Sequence, residues 1–471
     1  MFKQIKNKAG LILTILFGIG LWNIKHPDSL TPQAWHLFAL FITMILGTIV
    51  RAMPMTPISI LGLSIAILTK TLTLPQALSG FSDTVIWLIV SSFFIARAFI
   101  KTGLGNRIAY HFIKKFGKTS LGLAYSAIFS EFVLSPATPS QTARCGGVIY
   151  PIVNSIAHVL GSKPHSKSAG DLGTFLTLTT IHGSVICSAM FITAIAGNPL
   201  LVDMIKNLIG IEVSWMGWAK AAILPGLLSL ILVPLVVYII CPPKIKKVPG
   251  ATEFAEKKLK EMGKTSLNEW ILSGVFLLLI TLWTLGDSIG IHSVTTAFLG
   301  ISLLLLTQVL TTSDIIEEKS AWDTFIWFPI LLTLASFLNK FGVTNYFSEI
   351  AANQVKGFSW PIAFLILSLI YYYSHYFFAG ATPHLMAMYS SFLSVAVLVG
   401  TPPMLAALTL AFFSSLFGAL THYGVGPGPV LFGSGYASLK QWWGVGAVIS
   451  IAHIIIWMGI GSAWWKFLGF W

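Results

Sequence analysis

Two short stretches of an otherwise apolar chain gather side chains suited to an anion. The first is Ser135-Pro136-Ala137-Thr138-Pro139-Ser140-Gln141-Thr142-Ala143-Arg144-Cys145-Gly146-Gly147, and the second is Ala379-Gly380-Ala381-Thr382-Pro383-His384. A single offset of 240 places Thr142 on Thr382 and Arg144 on His384, so each stretch offers a hydroxyl and, two residues on, a cationic or potentially cationic group. Pro, Gly, Ser and Thr inside apolar sequence are tolerated where the backbone lines a cavity. Helix N-termini exposed at such tips aim N–H groups and partial positive charge into that cavity, which suits an anion. Two matched tips would meet the two carboxylates of a dianion. The candidates for substrate contact are Ser140, Gln141, Thr142 and Arg144 at the first tip, and Gly380, Ala381, Thr382 and His384 at the second.

Each of these residues also has a plainer reading. Pro and Gly commonly kink membrane helices, and Thr commonly bonds its own helix backbone. A buried arginine is harder to dismiss, because a charge at the bilayer centre costs at least about 2.5 kcal/mol and marks a functional pathway or an ion pair. Glu131, one hairpin arm earlier, is the available ion-pair partner for Arg144; the matched second tip favours recognition. Two further breaks, Thr193-Ala194-Ile195-Ala196-Gly197-Asn198-Pro199 and Thr421-His422-Tyr423-Gly424-Val425-Gly426-Pro427-Gly428-Pro429, follow the tips. Unwound helices beside hairpin tips complete a site from backbone groups, which adds Gly426 and Pro427 to the substrate set. His182, His375 and His422 also fall in apolar sequence and read as hydrogen-bonded structural histidines. Neither an HExxH pattern nor a Ser/His/Asp order supports hydrolysis.

The elements that must hold these tips follow from composition. Of 471 residues, 55% are hydrophobic and only 10% charged, so lipid is the expected solvent. Runs at 34–50, 85–100, 216–240 and 270–285 are long enough, at about 1.5 Å per residue, to cross roughly 30 Å of hydrocarbon as helices. The same runs exclude a β-barrel, whose strands alternate apolar and polar positions. The net charge of +13 is spread over short loops and reads as topogenic, not as a nucleic-acid face. Cys145, Cys187 and Cys241 lack metal-ligand spacing and imply no disulfide framework. The opening MFKQIKNK leads into an apolar stretch without a good cleavage site, so an uncleaved first helix in a bacterial inner (plasma) membrane is expected.

Spans are expected near 10–24, 34–50, 56–70, 84–101, 172–200 and 216–240. Loops on the N-terminal side carry Lys3, Lys6, Lys8, Arg51, Lys101, Arg107, Lys114, Lys115, Lys118, Lys163 and Lys167, whereas the other side has little more than Lys25, Lys70 and Lys206. The positive-inside rule puts the N-terminus and the basic linker 242–266 in the cytoplasm. Asp83-Thr84-Val85-Ile86-Trp87 recurs as Asp323-Thr324-Phe325-Ile326-Trp327, Leu61-Gly62-Leu63-Ser64 as Leu299-Gly300-Ile301-Ser302, and Lys101-Thr102-Gly103 as Lys340-Phe341-Gly342. With an odd number of crossings per half, the second copy is inverted, the plan of secondary transporters. The expected fold is an all-α polytopic membrane protein of inverted repeats with two re-entrant hairpins and broken helices. Its parts are 1–241 with a hairpin near 119–160, the linker 242–266, and 267–471 with a hairpin near 360–400.

The motifs TPQAW (31–35), SDTVIWLIVSSFFIARAFIKTGLGNRIAYHFIKKFGK (82–118), PSQTARCGGVIYPI (139–152), NEWIL (268–272), EKSAWDTFIWF (318–328), YFFAGATPH (376–384) and GALTHYG (418–424) resemble the divalent anion:sodium symporter family. The resemblance extends to its 2-oxoglutarate/malate translocators and its bacterial citrate, tartrate and succinate exchangers, and it covers nearly the whole chain. It implies an elevator-type transporter in the lipid bilayer, with a scaffold, a moving domain bearing both hairpins, and a homodimer. In the sodium-coupled members each tip reads Ser-Asn-Thr and binds substrate beside sodium. Here the first tip is Ser140-Gln141-Thr142 and the second Gly380-Ala381-Thr382, and the positions four before the tips fall on Pro136 and Tyr376. A proline side chain cannot coordinate a cation, which weakens the first sodium site. Arg144 and His384 would then neutralise the dianion electrostatically, with Arg144 on one carboxylate and His384 aiding the other. A site that keeps its own charge when empty should cross poorly, so the expectation is obligatory exchange of small dicarboxylates such as 2-oxoglutarate, malate, succinate or fumarate, with no cofactor. Sodium symport is the alternative, with backbone groups at Ala196, Gly197 and Gly424 as the candidate cation site. An anion channel or a membrane-embedded enzyme are the readings from other classes.

Overall fold

A computed structural model describes residues 8–50, 52–354, 357–378 and 380–471. The expected topogenic residues Lys3, Lys6 and Arg51, and the tip residue Ala379, lie outside the described residues. A leading helix α1 (Lys8–Asn23) precedes the first repeat: α2 (Pro32–Ile49), α3 (Met55–Leu68), α4 (Leu74–Leu78), α5 (Thr84–Thr102), α6 (Leu104–Phe116), α7 (Ser120–Leu134), α8 (Tyr150–Val159), α9 (Gly173–Met190), α10 (Gly197–Ile209) and α11 (Trp215–Ile240). The linker folds into α12 (Pro249–Met262) and docks on α6. The second repeat runs through α13 (Leu267–Ile289), α14 (Ser293–Leu306), α15 (Thr312–Glu317), α16 (Lys319–Lys340), α17 (Val343–Gln354), α18 (Trp360–Tyr373), α19 (Ala381–Leu398), α20 (Pro403–Leu416), α21 (Gly428–Gly433), α22 (Leu439–His453) and α23 (Gly461–Phe467).

Each element of the first repeat has its counterpart in the second, α2 with α13 through to α11 with α22–α23. Counted as α2, α3, α5, the broken α9–α10 and α11, or their counterparts, the crossings of a repeat are five, an odd number, so the second copy is inverted. Among the described residues seven helices are long and apolar enough to cross a membrane, and α1, α3 and α14 are shorter apolar helices. Although Ala381–Leu398 is long enough to cross on length alone, it packs back against α18 as the second arm of a hairpin. Both first arms end in the same way, in a 3₁₀ turn (Ser135–Ala137, Ser374–Phe377) followed by an extended residue (Thr138, Phe378), the latter pair again 240 apart.

The centre is built on α9 and α20, which pack against each other. Every residue of α9 is buried, and α20 is buried from Leu405 onward. A helix apolar on all sides must lie inside other helices, and the hydroxyls Thr177, Thr180, Ser184 and Ser188 give α9 a polar interior. The span expected at 172–200 is two helices separated by a break. Phe191 and Ile195 are extended, and the Asn198 Nδ2 donates to the carbonyls of Ser188 (2.7 Å) and Phe191 (2.8 Å), replacing the helical partners those carbonyls lack. Thr193 donates its hydroxyl to the Pro136 carbonyl, tying this break to the first hairpin.

Candidate functional site

At the first tip, Ser140 caps the second arm by accepting from the Ala143 N–H at 3.2 Å. That arm opens with wide π-helical turns over Thr142–Ile149 before α8. Such turns are costly and cluster at functional sites. Thr142 is exposed, and its hydroxyl makes no hydrogen bond among the described residues. It lies against the second break: a Cβ at Gly426 would stand 2.1 Å from the Thr142 Oγ1, so only glycine admits this approach. Gly146 faces Pro427 more loosely, at 3.8 Å for an added Cβ. Gly147 and Gly426 are both exposed, so the seam between first tip and second break is open.

Arg144 differs from the expectation that it meets a substrate carboxylate. Its side chain is fully enclosed and its donors are spent within the protein. Nε donates to Glu131 at 3.1 Å, Nη2 to the Ser188 hydroxyl at 2.9 Å, and Nη1 to the carbonyls of Ala194 (3.0 Å) and Thr138. The ion pair with Glu131 balances a charge that would be expensive to bury alone. The remaining bonds gather carbonyl oxygens from the tip and from the first break, the arrangement a bound cation would impose. Gln141 likewise turns inward, donating to the Ser184 hydroxyl at 3.0 Å, and Ser184 in turn donates to Glu131. Of the four first-tip candidates, Ser140 and Thr142 remain toward the opening.

The second tip is less enclosed at Gly380, Ala381 and Thr382, which are half-buried; the Thr382 hydroxyl has no hydrogen bond among the described residues. Gly380 has φ +121, a conformation that L side chains rarely adopt, and it starts α19 directly. His384 is buried, its ring stacked near Phe378 and Phe417 (centroids 4.5 Å each) and Tyr371 (4.9 Å). The His375 Nε2 lies 3.1 Å from the Gly424 carbonyl, which can only accept, so that nitrogen carries hydrogen. In a neutral His375, Nδ1 is then an acceptor, and the His384 Nδ1–H donates to it at 3.1 Å. The His384 Nε2 is 3.0 Å from the Ser374 hydroxyl, which opens the 3₁₀ turn after α18.

The two halves reach a similar contact from positions that the repeat does not match. A nitrogen donor near each tip holds a carbonyl of a broken helix: Arg144 on Ala194 in the first half, His375 on Gly424 in the second. Of the candidate cation residues, Gly424 offers a carbonyl already engaged by His375. Gly197 is buried against Leu385 of the second hairpin, 3.0 Å from an added Cβ, and Ala196 is half-buried at the start of α10. The structural reading fits His375 and differs for His182, neither of whose ring nitrogens has a hydrogen-bond partner among the described residues. His422 accepts from the Trp443 indole at 3.5 Å. Ser184, Ser188 and Ser374 belong to the site and carry no signal beyond being hydroxyls in apolar sequence.

A separate cavity of about 700 Å³ lies between α5, α10 and the α13–α14 turn. Its lining sets Asp83, Asp203 and Glu212 against Lys206, an acidic balance poorly suited to a dianion.

A family model described as the sodium:sulfate symporter transmembrane region matches residues 5–471. The putative malate transporter YflS of Bacillus subtilis is 51% identical over 461 residues, covering 98% of this chain and 96% of its own. Dicarboxylate transporter 1, chloroplastic, of Spinacia oleracea is 48% identical over 463 residues, covering 98% of this chain and 81% of its own. The crystal structure of the Alcanivorax borkumensis YdaH transporter matches with a TM-score of 0.56 at 11% identity, over 92% of this chain and 98% of that one, a likeness of fold.

Proposed function

Given that the chain belongs to the sodium:sulfate symporter family of membrane transporters, we propose that it exchanges small dicarboxylates, 2-oxoglutarate against malate, without a coupling sodium ion. The observation that carries this reading is the pair of internal donors: Arg144 on the Ala194 carbonyl and His375 on the Gly424 carbonyl. A carrier coupled to sodium gathers such carbonyls only when the ion is bound, and the ion's release resets the empty site. Here the donors are covalently part of the chain and do not leave. The empty carrier therefore keeps two tips of exposed N–H groups and free hydroxyls that are costly to carry through a closed intermediate, whereas a bound dianion satisfies them. Movement is favoured only when loaded, which is exchange.

In this reading Thr142, Thr382 and Ser140 donate to the carboxylates together with the N-terminal N–H groups of the second arms, and Gly426 and Pro427 close the seam. Arg144 and His384 are positioning residues that fix the tips. The names of the relatives, a malate transporter and a dicarboxylate transporter, support the substrate class. The runner-up, sodium symport, draws its support from the family's name and from Ala196 and Gly197 beside the break. Purified protein in proteoliposomes, preloaded with malate or left empty and assayed for labelled 2-oxoglutarate uptake in sodium or potassium medium, separates them. Exchange requires internal malate and ignores sodium; sodium-dependent uptake into empty vesicles would sink the proposal.

A further inference from the structure

On the face that the positive-inside rule assigns to the cytoplasm, α6 and α12 flank a wide-mouthed cavity of about 650 Å³ lined by none of the hairpin-tip residues. Arg107, His111 and Lys114 of α6 line one wall, Glu256 and Lys260 of α12 the other, and Gly263, Lys264 and Thr265 the floor. Arg107 is committed to structure: it pairs with Glu269 at 2.5 Å and donates to the Gly263 carbonyl at 3.0 Å. Lys114 pairs with Glu256 at 3.4 Å. Lys260 and Lys264 are exposed and have no carboxylate partner among the described residues. Four lysine and arginine cations thus share two carboxylates, and the two lysines left over stand at one mouth.

What lies next to that mouth identifies its occupant. The floor runs directly into α13, whose first turn is fixed by the reciprocal capping of Ser266 and Glu269. From there Leu267 (73% exposed), Trp270 (67%) and Leu277 (65%) form one apolar stripe down a membrane-spanning helix. Spacings of three and seven residues keep them on one face. An exposed tryptophan one turn inside a span marks the headgroup level of the bilayer. A surplus of cations at that level, directly above a stripe for acyl chains, has the chemistry of a phospholipid with an anionic headgroup. A soluble anion would use the lysines and ignore the stripe.

We propose that the α6–α12 cavity is a binding site for an anionic phospholipid of the cytoplasmic leaflet, its phosphate held by Lys260 and Lys264 and its chains lying on Leu267, Trp270 and Leu277. Because α6 joins the span α5 to the hairpin arm α7, a lipid held here fixes the depth at which that connector lies. The site stands whichever substrate the hairpins carry.

The test is native mass spectrometry of the full-length protein extracted from mixed phosphatidylcholine and phosphatidylglycerol vesicles. Phosphatidylglycerol should be retained in preference to phosphatidylcholine. Lys260→Gln/Lys264→Gln should weaken that retention roughly thirtyfold, the effect of two lysines acting near a membrane surface. Lys257→Gln, an exposed lysine of the same helix outside the cavity, should leave it unchanged. The proposal is overturned if the double variant retains phosphatidylglycerol like the parent protein, or if Lys257→Gln weakens it equally, which would mean diffuse attraction. Displacement of the lipid by millimolar inorganic phosphate would also overturn it, in favour of a soluble anion.

Discussion

Replacing Arg144 with alanine tests whether the guanidinium acts as a built-in cation or merely balances Glu131. The variant deletes the 3.1 Å ion pair, the 2.9 Å bond to Ser188 and the donors to the Thr138 and Ala194 carbonyls, and it leaves Glu131 buried without its counter-charge. Breaking one side of a buried pair costs about 3–5 kcal/mol. That cost falls on the folded state, so the melting temperature should drop, and exchange should fall as well because the Thr138 and Ala194 carbonyls lose their donor. A second variant, Arg144→Met/Glu131→Gln, removes both charges while keeping side-chain volume, and such a replacement of a buried pair is often close to neutral for stability. Its melting temperature should therefore recover most of the loss. Its exchange should not recover, because the two carbonyls still lack a donor. The assays are thermal melting of purified protein and counterflow of labelled 2-oxoglutarate against internal malate. A double variant that regains both stability and exchange would mean the guanidinium served only to balance Glu131, and the built-in cation reasoning would fall with it.

Three other outcomes follow from the geometry. Thr142→Val and Thr382→Val each remove a hydroxyl that is unbonded within the protein, so each should raise the apparent KM by about ten- to a hundredfold, the worth of one hydrogen bond to a charged group, with little change in melting; an unchanged KM for both refutes their substrate role. Gly426→Ala should nearly abolish exchange, because the new Cβ lies 2.1 Å from the Thr142 Oγ1, while Gly146→Ala, 3.8 Å from Pro427, should be mild; equal effects in uptake would remove the close approach as the cause. At the α15 turn, burial acts to raise the Asp314 pKa, but hydrogen bonds from Lys101 and Thr311 outweigh it and hold the carboxyl down at about 2. A depressed carboxylate stabilises above its unfolded pKa and loses that contribution as pH falls toward the folded value. Asp314→Asn should thus lower the melting temperature at pH 7, with the gap to the parent protein narrowing only below about pH 4; a gap independent of pH over that range would contradict the assignment.

The repeat was legible in the sequence because chain entry and exit, arm length and turn are set by residue types at fixed spacing. The offset that matched Thr142 with Thr382 also matches Thr138 with Phe378 as the extended residue of each turn. Matching letters did not guarantee matching roles. Asp83 caps α5 by accepting from the Val85 N–H at 2.8 Å, whereas α16 begins at Lys319, so Asp323 lies inside it and takes the Thr56 hydroxyl instead. Side-chain direction was the illegible part. Gln141 and Arg144 stand at the tip in sequence, yet the helical turns of the second arm rotate both inward, where Ser184 and Ser188 of α9 and Glu131 of α7 offer partners. The matched second tip favours a substrate carboxylate for Arg144, whereas the structure gives it Glu131. The linker, too, read as a polar connector, and only its packing on α6 reveals α12 as a wall of a cavity.

The offset of 240 also places Glu131 of the first hairpin on Tyr371 of the second, which explains why the two tips hold their arms together by different chemistry. Arg144 cannot shed its charge, so in the bilayer interior it needs an anion on the facing arm, and Glu131 supplies one. His384 can be neutral, so the facing position needs no carboxylate; Tyr371 offers an aromatic face at 4.9 Å, and Phe378 and Phe417 complete an apolar enclosure that suits a neutral ring. A carboxylate at position 371 would place an anion beside a ring with no obligation to be charged. The first tip therefore contributes no net charge to the site. The attraction for a dianion must come from the N–H groups that begin the second arms and from the unbonded hydroxyls of Thr142 and Thr382, which makes those two threonines, more than Arg144, the residues on which substrate affinity should turn.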